Sequence, residues 1–292
     1  MKTIWNLVIS MRPIQWSKNL FIFAPLIFSR EFLISSLLWK VFFAFLIFCG
    51  ISGSAYIIND LLDIENDRWH PRKSRRPLAS GDLNRITALL VGIIICIIAL
   101  GLAYLLNWNF FMVVLVYFAI QVAYSYKLKH IPILDVFVIS AGFVLRVTAG
   151  GLVAGIALSD WILVCSSLLA LFIALSKRRY EFVWLENDAD KHRPILKEYS
   201  VILLDQMISV VTASTLIAYC LYTVSPETVS RFGTKNLLFT APFVLYGIFR
   251  FFYLIHQKGQ GGSPEELILK DLPLLIDILL WVGSVAVILY VF

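Results

Sequence analysis

Apolar runs long enough to cross a bilayer recur along almost the whole chain, and they constrain its fold more than any other feature. A helical span needs about 20 such residues. Nine segments are read this way, at 14–29, 37–58, 86–106, 109–126, 134–154, 159–176, 200–223, 236–256 and 272–291. The first departs most from the pattern, because Lys18 and Asn19 fall near its start and Pro25 interrupts it. Inside lipid every backbone polar group needs an internal partner, so runs of this length must be helices. Composition agrees: 60% of the 292 residues are hydrophobic and 15% charged, against about half and a quarter in soluble domains. The expectation is an all-α polytopic membrane protein, a single transmembrane domain over residues 1–292. Asp277, among apolar residues of the ninth run, is read as a satisfied structural polar group facing the bundle interior.

The charge lies in alternate connections. Arg68, Arg72, Lys73, Arg75, Arg76 and Arg85 follow the second run, Lys127 and Lys129 the fourth, Lys177, Arg178, Arg179, Lys191, Arg193 and Lys197 the sixth, and Lys258 and Lys270 the eighth. The intervening connections are poorer in Lys and Arg. The positive-inside rule then places the basic connections and the N-terminus in the cytoplasm and the C-terminus outside, an alternation that requires an odd number of spans. The expected location is the inner membrane of a bacterium. Residues 1–16 lack a cleavable signal pattern, so no removed peptide is expected. Cys49, Cys96, Cys165 and Cys220 are scattered singly through apolar runs and read as small core residues, without disulfides or zinc.

Three stretches on the cytoplasmic side carry the polar chemistry. In the first, Asn59-Asp60-Leu61-Leu62-Asp63-Ile64-Glu65-Asn66-Asp67 ends the second apolar run and opens a basic one. On a continuing helix Asn59, Asp60, Asp63 and Asp67 fall within an arc of about 100°, while Glu65 points elsewhere. Carboxylates crowded on one face at a membrane edge repel unless a cation joins them. Oxygen donors with an incomplete protein shell suit Mg²⁺, which completes its coordination with water and substrate phosphates. A solvated acidic helix end is the plainer reading, but the adjacent Asn and five nearby Lys/Arg favour a magnesium–diphosphate site. The second stretch is Tyr124-Ser125-Tyr126-Lys127-Leu128-Lys129, followed by Asp135 and, deeper, Arg146. The third is Ser176-Lys177-Arg178-Arg179-Tyr180-Glu181. Lys127, Lys191 and Lys197 read equally well as ordinary topology signals and lipid-headgroup contacts. Arg146 interrupts an apolar run, and a guanidinium there is expected to face an anion or a carboxylate.

The motif Asn59-Asp60-x-x-Asp63-x-x-x-Asp67, the Arg-Pro-Leu-Ala-Ser-Gly segment at 76–81 and the Tyr-Ser-x-x-Leu-Lys segment at 124–129 together resemble the UbiA superfamily of intramembrane prenyltransferases. The resemblance runs over most of the chain. It implies nine transmembrane helices around a central cavity open to the cytoplasm, with two acidic motifs binding Mg²⁺–diphosphate. Where members carry the second acidic motif this chain has Lys177, Arg178 and Arg179 instead. That variant, with the Met11-Arg12-Pro13-x-Gln15-Trp16-x-Lys18-Asn19 opening and Gly142-Phe143-x-Leu145-Arg146, resembles the decaprenyl-phosphate phosphoribosyltransferase branch. The branch implies phosphoribosyl diphosphate as donor, a polyprenyl phosphate as acceptor, and a lipid-linked sugar of the kind used for cell-wall arabinan. The swap of acids for bases suits a donor with a separate 5-phosphate and an acceptor that brings another.

On this reading Asp60, Asp63 and Asp67 hold Mg²⁺ with Asn59 in support, and Lys129 joins them in the catalytic set. Arg72, Lys73, Arg75, Arg76, Tyr124, Lys177, Arg178 and Arg179 are expected at the donor phosphates, unapportioned. Glu181 is expected to hold a ribose hydroxyl or to orient Arg178, while Gln15, Lys18 and Arg146 are expected at the lipid phosphate. Partners are the two substrates and the membrane, with no nucleic acid; self-association is left open. An ordinary prenyltransferase acting on an aromatic acceptor is the alternative, but it predicts acids where Lys177 to Arg179 stand. A transporter or flippase would favour polar or broken-helix features at the bilayer midplane, whereas here the charge gathers at one interface.

Overall fold

A computed structural model describes residues 2–29, 31, 34–69, 71, 73–185, 194–259, 267 and 270–290. Among these residues the chain is helical and eight helices are long and apolar enough to span a membrane. Seven lie within a few residues of expected runs: α3 (Ser35–Leu62), α6 (Arg85–Leu106), α7 (Trp108–Tyr126), α8 (Leu134–Ala154), α10 (Val201–Val224), the segment Asn236–His256 and α13 (Leu272–Tyr290). The eighth, α9 (Asp160–Leu185), continues nine residues beyond its expected end, so the Ser176–Glu181 stretch is helical. Short helices complete the set: α1 (Lys2–Ser10), α2 (Ala24–Ile27), α4 (Ile64–Trp69), α5 (Pro77–Ser80) and α11 (Pro226–Phe232); within the Asn236–His256 span, α12 (Ala241–His256) continues a 3₁₀ turn at Asn236–Thr240.

The expected first span is the one that differs. Residues Pro13–Phe23 form a 3₁₀ helix that passes directly into α2. Pro13 fits the first turn, where its missing N–H is not needed. At about 2.0 Å per 3₁₀ residue and 1.5 Å per α residue, the two pieces extend roughly 28 Å, close to the hydrocarbon thickness of about 30 Å. The segment thus reaches as far as a span without being an α-helix of span length.

Contacts gather in two compact units, Met1–Leu158 with Asp190–Ile195, and Ser159–Ala189 with Leu196–Phe292. In the first, α3 packs against α6, α7, α8 and the 3₁₀ segment. Its core joins Ile22, Leu26, Phe48, Ile51, Phe110, Val114, Tyr117 and Ala149. The 3₁₀ backbone lies so close to α8 that a Cβ on Gly150 would fall 1.9 Å from the Ile22 carbonyl oxygen. Asn107 alone connects α6 to α7; its extended backbone reverses the chain and its Oδ1 caps Phe110 N–H at 3.0 Å. In the second unit α9 packs on α10, and α12 on α13.

Helix α1 is inside-out. Its inward face carries Asn6 and Ser10, buried, while Ile4 and Trp5 are 68% and 65% exposed. Asn6 donates to the Asp82 carbonyl at 3.1 Å and Lys2 pairs with Asp82 at 3.2 Å, tying the helix to the loop after α5. An apolar outer face beside membrane spans is the pattern of a helix lying in the lipid interface.

Candidate active site

Asp60 and Asp67 keep a shared face although the helix between them breaks. Helix α3 ends at Leu62 and Asp63 adopts a turn conformation at φ −100°, ψ 7°. Backbone bonds from Asp63 N–H to the Asn59 carbonyl at 3.0 Å and from Asp67 N–H to the Asp63 carbonyl at 2.8 Å preserve four-residue spacing across the break. Asp60 and Asp67 are consequently buried, at 2% and 3% exposure, while Glu65 lies outside on Arg68 and Arg85.

Each aspartate meets a base. Arg76 Nη1 donates to Asp60 Oδ1 at 3.1 Å and to Asp67 Oδ2 at 2.5 Å. Arg12 donates to the same Asp60 oxygen, with its guanidinium 4.8 Å from the Tyr56 ring centroid. Lys129 Nζ, on a 3₁₀ turn between α7 and α8, sits 2.5 Å from Asp63 Oδ1. Burial pushes the Asp67 carboxyl above the ordinary carboxylate range, opposed by Arg76 and Lys73 and reinforced by Asp60. Arg76 is delivered by the Arg-Pro-Leu-Ala-Ser-Gly segment: Pro77 starts α5 and Gly81, at φ 86°, ends it in the left-handed region that glycine tolerates. Of the other expected residues of this unit, Asn59 and Lys73 are half-buried beside the acids' backbone and side chains, Arg75 is exposed, and Gln15, Lys18 and Tyr124 are half-buried. Arg72 lies outside the described residues.

Among the described residues no three His, Cys, Asp or Glu side chains form a ready metal cage. Asp60 and Asp67 nevertheless converge on one cationic nitrogen, Arg76 Nη1. Two carboxylates aimed at one cation are the protein donors that Mg²⁺ takes when water and substrate phosphates fill the rest of its shell. The donor chemistry therefore fits.

Arg146, expected at an anion or a carboxylate, is 4% exposed, and its hydrogen-bond partners among the described residues are neutral. Nε donates to Asn19 Oδ1 at 2.7 Å, Nη1 to the Gly142 carbonyl at 2.8 Å and Nη2 to Tyr117 Oη at 2.8 Å. The Tyr117 and Phe143 ring centroids lie 4.7 and 5.6 Å from its Cζ. Neutral acceptors and π faces satisfy the charge, and Asn19 passes the network on to Ser52 at 3.2 Å. Arg146 therefore fastens the 3₁₀ segment to α7 and α8. Arg146→Lys keeps the charge but loses most of the fork, so a stability loss of about 1–3 kcal/mol is expected. A thermal unfolding series on purified protein checks it; an unchanged midpoint would contradict the role.

In the second unit, buried Arg178 donates to Glu181 Oε2 at 2.7 Å. Arg179 forks onto Asp205 at 2.5 and 3.4 Å, and His256 Nε2 lies 3.4 Å from the same carboxylate. Lys177 is half-buried. Sequence reasoning gave no role to Asp205, His256 or Arg12. An acid inside the seventh apolar run was a usable sign for Asp205; nothing local marked the partnership of Arg12 with Asp60.

The chain is 32% identical to the decaprenyl-phosphate phosphoribosyltransferase of Mycolicibacterium smegmatis over 98% of its own length and 92% of that protein's. It is 31% identical to the Corynebacterium glutamicum protein of the same name, over 98% and 87%. Its fold matches a UbiA homologue from Archaeoglobus fulgidus, solved with GPP and Mg²⁺, at a TM-score of 0.74 and 19% identity over 97% of this chain and 99% of that one. The UbiA prenyltransferase family model matches residues 20–266. An integral membrane protein with this fold, this acidic face and this match belongs to the UbiA prenyltransferase family.

Proposed function

We propose that the protein transfers a 5-phosphoribosyl group from phosphoribosyl diphosphate to a polyprenyl phosphate at the cytoplasmic face of the membrane. The observation that carries this reading is the full-length similarity to two proteins named for that reaction, and the basic Lys177–Arg179 segment supports it. Asp60, Asp63 and Asp67 would hold Mg²⁺, with Asn59 beside them. When bound, the ion supplies neutralisation of the diphosphate that departs from ribose C1.

The remaining work falls to side chains of this chain. Arg76 holds Asp60 and Asp67, and Lys129 holds Asp63, in the orientations their ion pairs fix. Lys73, Arg75, Tyr124, Lys177, Arg178 and, outside the described residues, Arg72 supply donors for phosphate oxygens. Arg179, whose fork is engaged by Asp205, acts by fixing that end of α9, and Glu181 does the same for Arg178. Gln15 and Lys18 receive the lipid phosphate. The C1–O bond to diphosphate breaks and a C1–O bond to the lipid phosphate forms. The nucleophile is already anionic near neutral pH, so no general base is needed.

Membranes containing the protein should move label from phosphoribosyl diphosphate into the lipid fraction, whereas prenyl transfer to an aromatic acceptor would favour the alternative. A single displacement also fixes the stereochemistry. With Asp60, Asp63 and Asp67 taken as metal ligands and no other carboxylate beside them among the described residues, transfer should be a single displacement, so the α-diphosphate should give a β-linked product. The logic parallels inverting glycoside hydrolysis. NMR of the purified lipid decides it, and an α linkage would refute the single displacement.

A further inference from the structure

We propose that Arg12 is a positioning residue for the acidic face, presented by an N-terminal arm that lies in the membrane interface. The proposal rests on the reading of that face as the metal–diphosphate site.

Several independent features place Arg12 there. It precedes the 3₁₀ segment and holds φ 54°, ψ 67°, a left-handed conformation that non-glycine residues seldom adopt. The surroundings hold that conformation in place. Met11 packs against α3 so closely that a Cβ on Gly53 would lie 2.8 Å from its methyl carbon. Trp16 Nε1 donates to the Met11 carbonyl at 3.1 Å, and the Arg12 N–H bonds back to the Ile9 carbonyl at 3.0 Å. Upstream, α1 is pinned through Lys2 and Asn6 to Asp82 and turns its apolar side outward. The guanidinium lands on Tyr56, one helical turn before Asp60, and donates to Asp60 Oδ1.

The chemistry gives this contact a purpose. Asp60 is buried, and a buried carboxylate keeps one orientation only while its oxygens are hydrogen-bonded. Arg76 donates to it but divides one nitrogen between Asp60 and Asp67. Arg12 adds a second donor to Asp60. It therefore acts through Asp60, setting the orientation of that carboxylate before the donor arrives.

A double-mutant cycle on the full-length protein tests this, with Arg12→Ala, Asp60→Asn and the pair, and with Arg12→Gln and Arg12→Lys as milder forms. It is read as the unfolding midpoint without Mg²⁺ or donor, and as kcat and donor KM with both. Arg12→Ala should lower kcat about tenfold or more, as for loss of a hydrogen bond between charged groups, with donor KM little changed. Arg12→Lys should recover most of that. The pair should be no worse than Asp60→Asn alone, and the stability losses should likewise be non-additive. Multiplying kcat losses, additive stability losses, or a folded Arg12→Gln enzyme of undiminished kcat would each overturn the role of Arg12. If Asp60→Asn itself were fully active, the reading of the acidic face would fall instead.

Discussion

Asp63→Asn should reduce turnover about a thousandfold, while Glu65→Gln, two residues away, should leave it within a small factor of wild type. Both changes neutralise a carboxylate in the same turn of chain, so they separate position from charge. Asp63 points into the acidic face, its side chain 20% exposed and joined to Lys129. On the proposed function Asp63 would hold Mg²⁺, and losing such a carboxylate removes several kcal/mol of charge stabilisation in the transition state, about 4 kcal/mol corresponding to that factor in rate. Glu65 is 72% exposed on Arg68 and Arg85 at 3.4 and 3.3 Å. Exposed pairs of this kind contribute about 0–1 kcal/mol and are screened by salt. Initial rates at saturating donor and lipid, with matched amounts of folded enzyme, make the comparison. Equal losses in the two variants would show that the arc does not select the functional acids.

The separation of buried Asp60 and Asp67 from exposed Glu65 was legible in the sequence, and the reason is physical. The helix breaks at Asp63, yet the i→i−4 backbone bonds persist through the break, so an angle counted along an unbroken helix still sorts those two acids from Glu65. Most apolar runs were legible for a related reason, since lipid forces length and hydrophobicity on any span. What periodicity does not encode is pairing across sequence distance. Arg12 reaches Asp60 across 48 residues and Lys129 reaches Asp63 across 66, and neither partnership leaves a local mark. Arg146 shows the same limit, since its hydrogen bonds to Asn19, Tyr117 and the Gly142 carbonyl are not marked by the apolar run around it. The 3₁₀ course of residues 13–23 escaped because the same side chains suit an α-helix; what selects it is the close approach at Gly150 and the inward hydrogen bonds of Asn19.

Arg76→Ala should be the most damaging single change to the fold of the acidic face, and its damage should be partly reversible by removing a second charge. Arg76 Nη1 is shared by Asp60 and Asp67, whose side chains are 3% and 4% exposed. Deleting it leaves, among the described residues, Lys73 opposing the charge of buried Asp67 and Arg12 paired with Asp60. Breaking a buried pair by removing one partner costs about 3–5 kcal/mol, because the remaining charge keeps its desolvation penalty. Adding Asp67→Asn removes that orphaned charge, so the double variant should regain a substantial part of the lost stability while remaining inactive.

Acid should act in the same direction. Burial already raises the Asp67 carboxyl above its ordinary range in the presence of Arg76, and without the arginine it should rise further. A carboxyl whose folded pKa exceeds its unfolded one binds protons on folding, so its stability contribution is full below the unfolded value and is lost as pH climbs through the folded one. The Arg76→Ala protein should therefore gain stability relative to wild type as pH falls from 7 towards 5, and Arg76→Ala/Asp67→Asn should lack that gain. Unfolding midpoints of the three proteins across that range settle the matter. A double variant as unstable as Arg76→Ala, with the same pH response, would show that Arg76 stabilises the face by packing rather than by compensating Asp67.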